Sequence, residues 1–272
     1  MTETATRVRE HYSAARLTDR IKSALLAIAP DDQTLTVAQL APLDQFHIRG
    51  VLATAELAGA VGLTPSTRVL DLGSGIGGPA RYLAANFACH VTGVDLSPEF
   101  VDTATYLTQR CGISDRVSFQ VGDALKVPFP DASFDAIFLQ HVAMNIEDRP
   151  ALYSEVRRIL APDGRFATYD VVLRNGGVVY PVPWARDAST SFLLTETETR
   201  SALEQAGFKA TLWRDDTQLA RDWFQAALAG PPPSGPNLGL VIGPDFRLFT
   251  ANLARNLGES RLGVLSAVLT RD

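Results

Sequence analysis

The sequence has 272 residues, 46% hydrophobic and 20% charged, with a formal net charge of -5 at pH 7. This composition supports one large folded domain, or a domain with a substantial insertion, and excludes extended disorder. A mildly acidic chain is a poor fit to non-specific binding of nucleic acid or anionic membrane. Two cysteines, Cys89 and Cys111, are too few for a disulfide framework. The opening MTETATRVREHYSAARL has no apolar h-region, and no apolar run approaches the ~20 residues of a membrane span, so a soluble cytoplasmic protein is expected.

Residues 1 to 62 read as helical. Leu17, Ile21, Leu25 and Ile28 share one helix face; Phe46, Val51, Leu52 and Leu57 share another, on a helix that Asp44 can cap and Gly62 can end. The texture then changes. RVLDLG (68–73), HVTGVDLS (90–97), RVSFQVGDA (116–124), SFDAIFLQHV (133–142) and RFATYDVVL (165–173) are short apolar runs separated by helical segments. The last of those helices is expected to close at Pro162 and Gly164. Strands alternating with helices predict βαβ units and a mostly parallel sheet, with ligands at the carboxyl ends of the strands. Residues 174–194 are irregular. A helix, the strand KATLWRD, two more helices around the Pro-rich PPPSGP loop, and a closing strand RLGVLSAVLTR follow.

The loop after the first strand fits two patterns at once. Gly73, Gly75 and Gly78 give the G-x-G-x-x-G of dinucleotide sites, while Asp71, Gly73, Gly75 and Gly77 give the D-x-G-x-G-x-G of a nucleoside loop. Asp95, ending VTGVD, can accept both hydroxyls of a ribose and supports an adenosine ligand without choosing the cofactor. Asp123, ending the third strand, can accept from an adenine amine.

Taken together and in order, LDLGSGIGG, VTGVDLS, GDALKVPFPDASFDAIF and RRILAPDGRFATYD resemble the class I S-adenosylmethionine-dependent methyltransferases across about residues 44 to 172. Within them the chain looks closest to small-molecule enzymes: ubiquinone/menaquinone C-methyltransferases, sarcosine/dimethylglycine N-methyltransferases and natural-product sugar O-methyltransferases. The resemblance implies an α/β, Rossmann-like fold with a seven-stranded, mostly parallel sheet and an antiparallel last strand. It implies an N-terminal helical lid (1–62), a cofactor-binding core (63–173), a substrate-lid loop (174–194), and a C-terminal part (195–272) with a helical insertion at about 216–258. The expected reaction is in-line methyl transfer from S-adenosylmethionine to an O, N or C nucleophile of a small molecule, leaving S-adenosylhomocysteine. A nucleotide-dependent oxidoreductase and a non-catalytic cofactor-binding module remain as alternatives.

For the cofactor, the resemblance points to Asp71, Gly73, Gly75, Asp95, Leu96, Asp123, Ala124 and Gln140, with Tyr12 and Gln45 closing over it and Arg49 meeting the methionine carboxylate. His141, just past the fourth strand, is the first candidate general base and His47 the second. Asn145 is a candidate for orienting the acceptor, although a turn or capping role suits it too. Tyr180, Trp184, Arg186 and Phe192 are candidate walls of the acceptor site. The four histidines and two cysteines have no metal-ligand spacing, and no carboxylate precedes Glu147 after the fourth strand, so the reaction is expected to need no metal. A nucleic-acid substrate is not expected. A homodimer is a possibility that no particular residue argues for.

Overall fold

The computed structural model describes residues 3–12, 16–230 and 235–272. The Pro-rich stretch falls largely outside them. Four helices come first: α1 (Glu3–Tyr12), α2 (Leu17–Leu26), α3 (Val37–Asp44) and α4 (Val51–Val61). Strands and helices then alternate through β1 (Arg68–Leu72), α5 (Gly78–Phe87), β2 (His90–Asp95), α6 (Pro98–Arg110), β3 (Val117–Val121), β4 (Phe134–Gln140), α7 (Arg149–Ile159) and β5 (Leu160–Leu173). The chain continues through α8 (Glu196–Gln205), β6 (Phe208–Asp215), α9 (Thr217–Ala229), α10 (Gly239–Ile242), α11 (Phe246–Gly258) and β7 (Leu262–Arg271). The seven strands form one sheet in the order β3-β2-β1-β4-β5-β7-β6. The first five are parallel, and β7 runs antiparallel to both β5 and β6, which is the expected sheet.

Both faces of the sheet are covered, so the central strands are mostly apolar on both faces rather than alternating. Val69, Ala136 and Phe138 cluster with Leu57 of α4, Leu83 of α5 and Leu253 of α11. Leu70, Ile137 and Leu139 cluster instead with Leu152 and Val156 of α7 and Leu203 of α8. A third cluster joins Leu17, Ile21 and Leu25 of α2 to Leu43 of α3 and to Phe100 and Leu107 of α6. Ile28 and Leu52 leave the faces expected for them and are 57% and 56% exposed. Phe46 is separated from Leu57 by a turn, so no single helix carries that stripe.

Asp44 ends α3 and does not cap α4, whose N-cap is Gly50. Its carboxylate is buried against Arg81, which donates to Asp44 Oδ2 at 2.8 Å and to the Ile76 carbonyl at 2.7 Å. Gly78 permits this approach, since a Cβ there would lie 2.1 Å from the Asp44 carbonyl oxygen. The pair fastens the N-terminal helices to the loop after β1, and removing one partner would leave a buried charge at a cost of about 3–5 kcal/mol. Gly62 does end α4, in a left-handed conformation. β5 starts at Leu160, earlier than expected, because Pro162 cannot extend α7 and Leu160 pairs at once with Phe134.

Candidate active site

The carboxyl ends of β1, β2, β3 and β4 open into a cavity of about 630 Å³. On its β1–β3 side the chain turns tightly. Gly73 has φ 78° and its N–H donates to the Val94 carbonyl at 2.7 Å. A Cβ there would lie 2.3 Å from a methyl of Val142, so only glycine lets β1 and the turn after β4 meet this closely. Asp95 closes β2 and bridges the two turns: Oδ2 accepts from Gly75 N–H at 2.8 Å and Oδ1 from Ser97 N–H at 2.9 Å. Burial pushes its carboxyl up to about 6. Asp71, beneath, is pushed up to about 7, first by burial and then by the Asp95 charge. Asp123 accepts from Leu125 N–H at 3.0 Å, which folds the chain after β3 into a turn at the cavity edge.

The β4–β5 side is assembled from distant segments. His141 follows β4 with φ 55°, its N–H bonded to the Tyr169 carbonyl at 2.7 Å. Its ring stacks on Tyr169 at 5.4 Å, and its Nε2 is buried without a hydrogen-bond partner. Burial, and secondarily His47, hold its pKa well below the usual histidine value, so the ring is neutral. Tyr12 of α1 donates to Asn145 Oδ1 at 3.0 Å, while Asn145 Nδ2 donates to the carbonyls of Trp184 and Thr190, each at 2.9 Å. One side chain thus ties α1, the turn after β4 and the 174–194 loop together.

Of the residues singled out in the sequence, Tyr12, Gly73, Gly75, Asp95, Leu96, Asp123, Ala124, Gln140, His141, Asn145 and Trp184 line this cavity. The others do not. Asp71 is buried below the glycine turn. Gln45 is buried beside Asp44, to which its Nε2 donates at 3.3 Å. Arg49 turns away because Glu56 and Asp216 bind its guanidinium. His47 sits behind the wall, its ring 6.1 Å from that of His141. Tyr180 packs into the core. Arg186 pairs with Asp245 at 2.9 Å over the Phe249 ring. Phe192 contributes backbone: its N–H donates to the Met144 carbonyl.

Sequence reasoning missed the apolar wall, to which Phe46, Phe100, Val142, Met144 and Leu253 contribute. Their spacing marks them only as core. It also missed Asp170, a buried carboxylate that burial pushes up to about 6, whose Oδ1 accepts from Val171 N–H at 2.9 Å. An acid inside the apolar run ATYDVVL was the available signal.

Residues 70–168 match the model of a family described as a methyltransferase domain. A sterol 24-C-methyltransferase of Gibberella zeae is 40% identical over 114 residues, 42% of this chain and 30% of that protein. This chain therefore spans less than a third of that curated relative. The geranyl diphosphate C-methyltransferase of Streptomyces coelicolor A3(2), solved with Mg2+, geranyl diphosphate and S-adenosyl-L-homocysteine, superposes with a TM-score of 0.73 at 18% identity, over 100% of this chain and 99% of that one. The cyclase SpnF superposes with a TM-score of 0.68 at 22% identity, over 96% of each chain. A fold shared with a cyclase fixes no reaction; the residues at the site must argue it.

Proposed function

We propose that this chain transfers a methyl group from S-adenosylmethionine to a nucleophile on a small, largely apolar molecule, a reading supported by the match of residues 70–168 to a methyltransferase domain. The observation that carries this is one continuous cavity, from Gly73 and Asp95 to His141 and Trp184. The residues fit the cofactor. Asp95 would hold the ribose hydroxyls, Asp123 and Ala124 the adenine, and the Gly73–Gly75 turn would lie along the methionyl tail. Buried Asp71 and Asp95 would also favour a ligand that carries positive charge.

When bound, the cofactor supplies an already activated methyl on a cationic sulfur. The chain's task is then alignment and exclusion of water. The apolar wall excludes water and would hold an apolar acceptor body. The sterol in one relative's name and the geranyl tail in the name of one structural neighbour share that character. Nε2 of His141 would take the proton of the nucleophile. Burial disfavours its imidazolium, so this base suits an acceptor with an acidic proton, such as a phenol or an ammonium, better than an aliphatic alcohol. Among the described residues no three His, Cys, Asp or Glu side chains are grouped to hold a metal ion. Turnover unchanged in excess chelator is the expected outcome.

The test is S-adenosylhomocysteine release with a panel of apolar phenols, amines, quinols and prenyl compounds. Turnover with one class supports the reading and names the acceptor. Every acceptor inert, despite micromolar cofactor binding, replaces it with a non-catalytic binding role. Tight binding of a nicotinamide cofactor without S-adenosylhomocysteine binding replaces it with an oxidoreductase.

A further inference from the structure

If S-adenosylmethionine is the ligand, its methionyl carboxylate needs a donor, and those of the glycine turn, Arg49, Tyr12 and Trp184 are taken. The N–H groups of Gly73 and Ser74 donate to the Val94 carbonyl, that of Gly75 to Asp95 and that of Gly77 to the Ser74 carbonyl. Arg49 is held by Glu56 and Asp216. Tyr12 donates to Asn145, and Trp184 Nε1 donates to Ser191 Oγ at 3.0 Å. Gln140 is different. It ends β4 beside β1, lines the cavity, is only 7% exposed, and its Nε2 has no hydrogen-bond partner.

The orientation of that amide is set from behind the wall. The Gly50 carbonyl can only accept, so His47 Nε2, 2.8 Å away, carries the ring proton. Burial keeps the His47 ring neutral by lowering its pKa to about 4. Thr54 Oγ1, fully buried in α4, lies 3.0 Å from the same Nε2 and shares its single proton with the Gly50 carbonyl. The Thr54 hydroxyl proton is left for Gln140 Oε1, also at 3.0 Å. With Oε1 occupied, the Nε2 hydrogens are the part of the amide left for a ligand.

We propose that Gln140 Nε2 donates to the methionyl carboxylate of the cofactor, and that Thr54 and His47 are positioning residues that fix the amide for it. This rests on the cofactor reading above. It assigns His47 a place in the cofactor site rather than in proton transfer, and gives a buried helical threonine a ligand-dependent role.

The experiment is calorimetric titration of the full chain with S-adenosylhomocysteine and with its decarboxylated analogue, which keeps the amine. Gln140→Leu and Thr54→Val should each weaken S-adenosylhomocysteine about 10-fold and leave the analogue within about twofold. Thr54→Ser should restore wild-type affinity. Gln140→Glu keeps the shape, so it also covers a leucine variant that fails to fold; it should weaken S-adenosylhomocysteine about 100-fold through charge repulsion and spare the analogue. Arg9→Ala, at the cavity rim, should leave the ratio of the two affinities unchanged. Equal losses on both ligands, no loss, or a carboxylate-specific loss in Arg9→Ala alone would overturn the assignment. A wild-type chain that binds neither ligand overturns the cofactor reading, and this inference with it.

Discussion

Asp95 and Asn145 hold the two sides of one cavity by different means. Asp95 finds its partners in the turns after β1 and β2, at Gly75 and Ser97, within 20 residues of itself. Asn145 finds its partners in α1 and in the loop beyond β5, at Tyr12, Trp184 and Thr190, between 39 and 133 residues away. The first side belongs to two adjacent βα units and forms wherever that sheet forms. The second exists only when helices outside the sheet have docked. The β4–β5 side can therefore change while the β1–β3 side stays intact, which is how one fold comes to carry many substrates.

If the two sides are separable, substitutions should damage them separately. The largest effect is expected at His141. His141→Ala should lower kcat about 1,000-fold while S-adenosylhomocysteine binding stays within about twofold; a matched loss of binding would merge the two sides. Next, Asp95→Ala should weaken S-adenosylhomocysteine about 100-fold through loss of charge-assisted hydrogen bonds, with catalysis surviving at saturating cofactor. The pH dependence sharpens the same contrast. Burial pushes the Asp95 carboxyl up to about 6, so it is a neutral, poorer acceptor below that pH and a carboxylate above it. Affinity for S-adenosylhomocysteine should climb by at most about tenfold per unit as pH rises toward 6, then level off, and Asp95→Asn should flatten the climb. The smallest effect is expected from Tyr12→Phe, which removes one hydrogen bond to Asn145. Acceptor KM should rise about fivefold and stability fall by about 1 kcal/mol, read from steady-state kinetics and urea unfolding.

The same division governs what could be read in the sequence. Strand identity, sheet class and Asp95 were legible because each rests on local pattern: an apolar run, a glycine turn and an acid at a strand end. Arg49 was misread because its partner Asp216 lies at the start of α9, and no local rule brings the two together. Asp44 looked like a helix cap, and only the approach allowed by Gly78 shows it to be the partner of Arg81. Gln140 was placed at the cofactor only by the family resemblance. Its Oε1 accepts from Thr54, which reads from the sequence as one more residue of an apolar helix. The apolar wall of the cavity draws on α1, the turn before α4, α6 and α11 at once, and no periodicity in any one of them announces it.

The sheet order also has a consequence in time. β7 lies between β5 and β6, so neither neighbour can complete its hydrogen bonding until the strand that follows both of them has been made. During synthesis the β1–β5 ladder can form while β6 waits with no strand partner, an exposed edge that invites mispairing. α11 directly precedes β7, and Leu253 of α11 is part of the cavity wall. Insertion of β7 therefore draws the last piece of the cavity wall into place, and the newborn chain acquires the turns at Gly73 and Asp95 well before it can close the cavity.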